Sequence, residues 1–200
     1  MRRLFVAGLA ALIAVPSVAV TGALAAGVHV RVEGKTRTIY GPSEPTLTAA
    51  NALETVEAAS IAGEFYYHVT RTSFGPYVDQ IGRYGGAASS GWVFKVNNVS
   101  PPVGADAVSL KDGDRVLWYY ADFGPSGGPP TLDLKKAARG CYTATAYDDN
   151  GKAVAAAGLT LQVGSKRTVA FKSGRACPGP HPGQLVRAAA PGAIRSNALA

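Results

Sequence analysis

The sequence predicts an α+β fold, a mixed sheet with one helix, followed by a small all-β module. Three observations carry this. Between residues 28 and 120, one helical run lies among several alternating segments rich in β-branched and aromatic residues. Residues 124–130, GPSGGPP, are a linker by composition. Beyond it come short alternating segments punctuated by turn residues.

Residues 1–25 read as a signal peptide, with Arg2 and Arg3 before an apolar run and Ala23-Leu24-Ala25 as a small-residue cleavage site. Cleavage there starts the mature chain near Ala26 and leaves no membrane span. No Cys stands near that site, which excludes a bacterial lipoprotein. The remainder, at 47% apolar and 16% charged residues over the whole chain, has an ordinary globular composition. The formal charge is +7, and losing Arg2 and Arg3 leaves +5, mildly basic and scattered along the sequence. An exported protein of this charge meets little nucleic acid, so a cell-wall polymer or a small ligand is the expected partner.

The first domain is expected over residues 26–123. Val28 to Glu33 alternates and ends at Gly34, and Thr36 to Tyr40 returns as the second arm of a hairpin. Thr48 then stands as an N-cap before a helix over residues 49–62, whose stripe is Ala52, Leu53, Val56 and Ala59, with Gly63 as its stop. Strands follow over residues 64–72 and 77–81. Residues 82–91, GRYGGAASSG, read as a flexible loop that could face a ligand. Two strands, a helix and several more strands is the element order of a β-grasp.

Residues 91–120 organise this domain. Trp92, Phe94 and Val96 alternate with Val93, Lys95 and Asn97, so the Trp92 side is the core side. Val116, Trp118 and Tyr120 alternate with Leu117 and Tyr119. Neither face of that strand is polar, and it should be covered on both. Trp118 is expected toward the helix, and Tyr119 toward the opposite face beside residues 82–91, where a ligand or the second domain docks. Lys111-Asp112-Gly113-Asp114 between the two strands is turn chemistry.

Gly91-Trp92, Val96-Asn97, Val103-Gly104-Ala105, Leu110 to Asp114 and Val116-Leu117-Trp118 together resemble the pattern of the transcobalamin C-terminal-like domain, the DUF4430 family. The resemblance spans roughly residues 28–122 and is densest over 91–120. It implies a small β-grasp module of secreted bacterial proteins. In the animal cobalamin carriers, the related domain closes over the corrinoid against a large helical domain, for which this sequence holds no counterpart.

The second domain is expected over residues 131–200, as a small β-sandwich with strands near 131–134, 141–147, 158–163, 167–171 and 184–188. Asp148-Asp149-Asn150-Gly151 supplies a hairpin turn and lacks the distant Glu of a calcium loop. Cys141 and Cys177, the only cysteines, are expected to pair in an oxidising compartment and to staple this domain alone. The tail from Pro191 shows no hydrophobic anchor.

No catalytic constellation assembles. There is no G-x-S-x-G elbow, the carboxylates Asp79, Asp106, Asp112, Asp114 and Asp122 read as turn or surface residues, and the three histidines lie far apart. No catalytic residue, metal site or cofactor is therefore assigned. The first domain has more aromatics than a core of its size needs, so a non-catalytic binding protein is expected. Tyr84, Trp118 and Tyr119 are the candidate ligand contacts, for a small aromatic, corrinoid-like or sugar ligand. The alternative is a structural or adhesive module of the cell wall or matrix without a small ligand.

Overall fold

The computed structural model of the chain describes residues 24–73, 75–125, 127–165 and 167–200. The expected leader lies outside the described residues up to position 23, as does Ser126 of the linker. Among the described residues the architecture is α+β, mostly strand with one α-helix.

In chain order, the N-terminal part runs β1 (Ala26–Glu33), β2 (Thr38–Tyr40), β3 (Thr46–Ala49), α1 (Ala52–Gly63), β4 (Tyr67–Thr72), β5 (Gly75–Ile81), β6 (Tyr84–Gly85), β7 (Ser90–Val96) and β8 (Arg115–Asp122). The main sheet has the order β2-β1-β8-β7, and β3 continues along the same side of β1 as β2. β1 and β8 are parallel, with Val30 opposite Val116, and the remaining pairs are antiparallel. β4, β5 and β6 form a separate three-stranded ribbon.

Val28, Val30 and Val32 share one face of β1 and are fully buried with Val56 and Ala59 of α1. Each of these valines contributes roughly 1.5–3 kcal/mol by leaving water. Trp118 faces the same way and donates from Nε1 to Thr55 Oγ1 of the helix at 2.9 Å. Trp92 is also buried there, its Nε1 donating to Tyr84 O at 2.8 Å.

The helix begins later than Thr48 suggests, because Thr48 is drawn into β3 opposite Gly27. Asn51 caps instead. Its side chain accepts from Glu54 N at 3.0 Å, and Glu54 reaches back to accept from Ala50 N at 2.7 Å and Asn51 Nδ2 at 2.8 Å, a relative of the capping box displaced one residue before the cap. At the other end, the left-handed residue is Glu64, with φ 50°, rather than Gly63. Gly63 serves packing, since a Cβ there would fall 2.6 Å from the Tyr40 ring.

Residues 82–91 are no open loop. β6 pairs with β5, and Ala87 and Ser90 exchange backbone hydrogen bonds in a tight hairpin leading into β7. The Tyr120 hydroxyl donates to Gly85 O at 3.1 Å, which puts this stretch on the helix side of the sheet, away from Tyr119.

The C-terminal part holds β9 (Thr131–Ala137), β10 (Cys141–Tyr147), β11 (Ala153–Val154), β12 (Thr160–Val163), β13 (Arg167–Ala170), β14 (Val186–Ala189) and β15 (Ala198–Leu199). They make one sheet of order β11-β10-β9 and another of order β13-β12-β14-β15. Leu132, Leu134 and Ala146 from the first meet Leu161, Val163 and Val186 from the second in a common cluster. Cys141 and Cys177 form the disulfide, closing a separation of 36 residues. Asp148 Oδ1 accepts from Asn150 N and Lys152 N, and Gly151 takes φ 74°, as a hairpin turn requires.

The tail is woven in by polar groups as well as by Ile194 and Leu199, which pack on apolar clusters. Asn197 exchanges hydrogen bonds with both backbone groups of Leu134, at 2.8 and 3.1 Å, and Ser196 Oγ accepts from Ala188 N at 2.7 Å.

The second face of the main sheet is covered by this C-terminal part. On β8, Leu117, Tyr119 and Ala121 form a small apolar stripe with Val93 and Ile194. Around that stripe the contacts are ionic. Glu33 is fully buried and lies 2.9 Å from Arg195 Nη2 and 3.2 Å from Arg31 Nη1. Glu44 joins Arg31 at 3.1 Å to Arg115 at 2.8 Å, and Arg115 reaches Asp133 of β9 at 2.7 Å. Burial alone would pull the Arg115 guanidinium down, but Asp133 and Glu44 more than reverse this and hold it above its ordinary value.

Candidate functional site: a cleft on the free edge of β7

β7 ends the main sheet, so one of its edges has no strand hydrogen-bonded to it. Asn97 N donates to Arg115 O and Phe123 N donates to Ser89 O, which fixes the phase of the antiparallel ladder with β8. The N–H and C=O groups of Ser90, Trp92, Phe94 and Val96 therefore point away from β8.

Most of these outward groups are satisfied locally. Ser90 exchanges bonds with Ala87, and Val96 with Val99. The second exchange closes a two-residue turn in which Asn97 and Asn98 both take positive φ, 51° and 70°, the primed geometry asparagine tolerates. The Trp92 N–H donates to the Tyr77 hydroxyl. That close approach needs Gly91, where a Cβ would fall 2.5 Å from the same oxygen. Trp92 C=O and both backbone groups of Phe94 have no partner among the described residues.

A cleft of about 340 Å³ opens on this edge. Trp92, Phe94, Trp118 and Ala105 line it on the helix side, while Val93, Tyr119 and Phe123 line it on the other. Its remaining walls are Pro76 to Val78 of β5 and the stretch from Ser100 to Gly104 that follows β7. Phe94 and Trp118 stack at a ring separation of 5.1 Å, which stiffens that wall. The rim is apolar and wet at once, since Tyr77, Val103 and Phe123 are 42%, 51% and 43% exposed.

Among the described residues, Asp149 is the only charged side chain lining the cleft. It arrives on the β10–β11 turn, and its Oδ1 lies 3.3 Å from Lys95 Nζ, 3.3 Å from Ser100 Oγ and 3.4 Å from the Tyr119 hydroxyl. Lys95 Nζ also donates to Asp148 O at 2.7 Å and Tyr147 O at 3.2 Å. Burial lowers the Lys95 ammonium, and Asp149 and Asp148 oppose the shift. Burial likewise pushes the Tyr119 phenol well above its ordinary range, with Asp149 adding to the shift. Burial also raises Tyr77, against the pull of the Trp92 N–H.

Of the three residues singled out from the sequence, Trp118 and Tyr119 reach this cleft from opposite faces of β8, and both are buried. Tyr119 is covered by the C-terminal part, not by residues 82–91. Tyr84 lies elsewhere. Its ring packs 5.8 Å from Tyr120 and its hydroxyl bonds Thr36 at 2.8 Å. Sequence reasoning missed Val103, Phe123 and Asp149, and the readable signal was thin: three apolar residues, Pro101, Pro102 and Val103, in a loop. Among the described residues, no three His, Cys, Asp or Glu side chains gather in a way that could hold a metal ion. No helix among them is long and apolar enough to cross a membrane.

No curated protein matches the chain. Among solved structures, a protein from Ruminococcus gnavus described provisionally as metal binding is similar at 13% identity and a TM-score of 0.39, covering 50% of this chain and 99% of its own. The model of one family, a domain of unknown function (DUF4430), matches residues 48–122. That match takes in α1, β4 to β8 and every wall of the cleft except Phe123 and Asp149, so this stretch of the chain is similar to the DUF4430 domain.

Proposed function

We propose that this is an exported, non-catalytic binding protein whose site is the cleft on the free edge of β7, and that it takes an apolar ligand. The observation that carries the reading is the combination of an apolar lining with unpaired backbone groups at its floor, in a volume near the lower end for ligand pockets. A corrinoid macrocycle is too large a body for about 340 Å³, and a sugar would leave its hydroxyls against Phe94, Trp118 and Val103. An apolar group with a hydrogen-bonding edge fits better.

The non-catalytic reading is supported by the chemistry of the lining. Its phenols, Tyr77 and Tyr119, are pushed up by burial and so hold their protons at neutral pH. Asp149 is already shared among three donors. Export is supported by the disulfide, which persists in oxidising compartments, together with the leader-like first 25 residues.

We read the N-terminal part as a β-grasp, since α1 lies in the connection between parallel neighbours β1 and β8, and the C-terminal part as a small sandwich. Both Trp residues line the cleft, so a ligand there changes their emission. Titration with an uncharged apolar dye should give a saturable change that Val103→Asp abolishes while leaving the thermal midpoint intact. A dye response unaltered in Val103→Asp would sink the assignment.

A further inference from the structure

We propose that the occupant of the cleft is a short extended peptide that joins β7 as an added strand, with apolar side chains on one face and a basic side chain on the other. This rests on the reading of the cleft as a binding site and names the class of molecule that fills it.

Along the outer edge of β7, an acceptor, a donor and an acceptor follow one another: Trp92 C=O, Phe94 N–H and Phe94 C=O. This is the order in which a strand offers its edge to the next strand. The run is bounded at both ends. The Tyr77 hydroxyl holds the Trp92 N–H, and the turn to Val99 takes both groups of Val96. The open stretch is therefore short.

The cleft also passes both faces of the edge. Alternate side chains of an added strand point to opposite faces, at about 3.3 Å per residue, so a strand needs a wall on each side where a flat ring needs one. Here Phe94, Trp118 and Ala105 stand on the helix side, and Val93, Tyr119 and Phe123 on the other. The two walls differ in charge. The helix side is apolar, whereas the other carries Ser100 and Asp149, 42% exposed, whose Oδ1 is held by Lys95, Ser100 and Tyr119 and whose Oδ2 has no hydrogen-bond partner among the described residues. A lysine or arginine on that face of the peptide complements it.

The test uses the full chain and a capped peptide of about five residues alternating valine with lysine. Binding is followed by Trp emission, and the Phe94 amide by hydrogen exchange. Saturable binding with exchange at Phe94 slowed at least about tenfold is expected. N-methylation of the peptide residues whose N–H faces β7 should weaken binding by about tenfold, as for loss of a hydrogen bond. N-methylation of the intervening residues should leave it within about twofold. If the dye saturates the cleft and the peptide does not, or if the two methylation patterns weaken it equally, the strand-addition proposal is overturned while the cleft remains a binding site. If neither binds, both readings fail. Protection of the Phe94 amide by raising protein concentration alone would make a second copy the occupant and overturn the proposal as well.

Discussion

Arg195 grips the buried carboxylate of Glu33 across 162 residues of sequence, through Nε at 3.1 Å and Nη2 at 2.9 Å on the same oxygen. Thr38, Arg31 and Arg187 complete the surroundings, with Arg187 Nη2 3.5 Å from the other oxygen. Burial lowers the Arg187 guanidinium, Glu33 opposes this, and Arg31 and Arg195 add to it. Glu33 is thus the counter-charge shared by three arginines with little access to water, of which, among the described residues, Arg31 alone has a second carboxylate, Glu44. Glu33→Gln is expected to cost about 3–5 kcal/mol, because Arg187 and Arg195 lose their carboxylate partner and Arg31 keeps only Glu44. Urea denaturation should show the midpoint falling, with the N-terminal and C-terminal parts still unfolding together. Two resolved transitions in the unsubstituted protein would contradict this account of the interface.

The disulfide bears on the same point. Closing a loop of 36 residues stabilises by about 4 kcal/mol in the chain-entropy picture. The sequence alone suggested that the staple serves the second domain only. With Asp133, Lys95 and Arg195 tying the two parts together, the Cys141→Ser, Cys177→Ser double variant should instead lower one shared melting transition. Calorimetry distinguishes this from a shift confined to half of the heat absorbed.

Tyr84 should report on pH. The hydrogen bond from Thr36 and then that from Arg83 draw its phenol down from 10.0 to about 8. Its folded value lies below the unfolded one, so between about pH 8 and 10 the unfolded chain binds the proton more tightly and stability rises with pH. The contribution is fully present above pH 10 and lost as pH falls through about 8. A phenolate absorbance titration should show one of the nine tyrosines ionising near pH 8, and Tyr84→Phe should remove that step.

The helix terminus separates two roles that glycine often combines. Glu64 holds a left-handed conformation at φ 50°, so Glu64→Gly should stabilise by up to about 1 kcal/mol. Gly63→Ala should destabilise, because the added Cβ meets the Tyr40 ring at 2.6 Å. Thermal midpoints moving the other way in either variant would show that the local backbone rearranges.

Local chemistry was legible in the sequence. The hairpin at Asp148 to Gly151, the turn at Lys111 to Asp114 and the opposite facing of Trp118 and Tyr119 all follow from residues a few positions apart. Thr48 misled because a residue fit to cap a helix is equally fit for a strand, and pairing with Gly27 decided it. The cleft was not legible, since β7 is an edge only by virtue of strand order, which no local pattern states. Lys95 reads as a solvent-facing strand residue, and nothing near it in sequence announces the carbonyls of Tyr147 and Asp148 that bury it.

The polar face of the main sheet also shapes how the chain can be made. Synthesis reaches residue 122, and completes that sheet, long before Arg195 emerges. A face built of leucine and valine alone would then wait uncovered, as a sticky surface inviting association with other nascent chains. Arg31, Glu33 and Lys95 instead give the waiting face groups that water can solvate, so only the narrow stripe of Leu117, Tyr119 and Ala121 is left for the C-terminal part to relieve. The ionic seam that looks costly in the finished protein is, during assembly, the feature that lets its two halves arrive at different times.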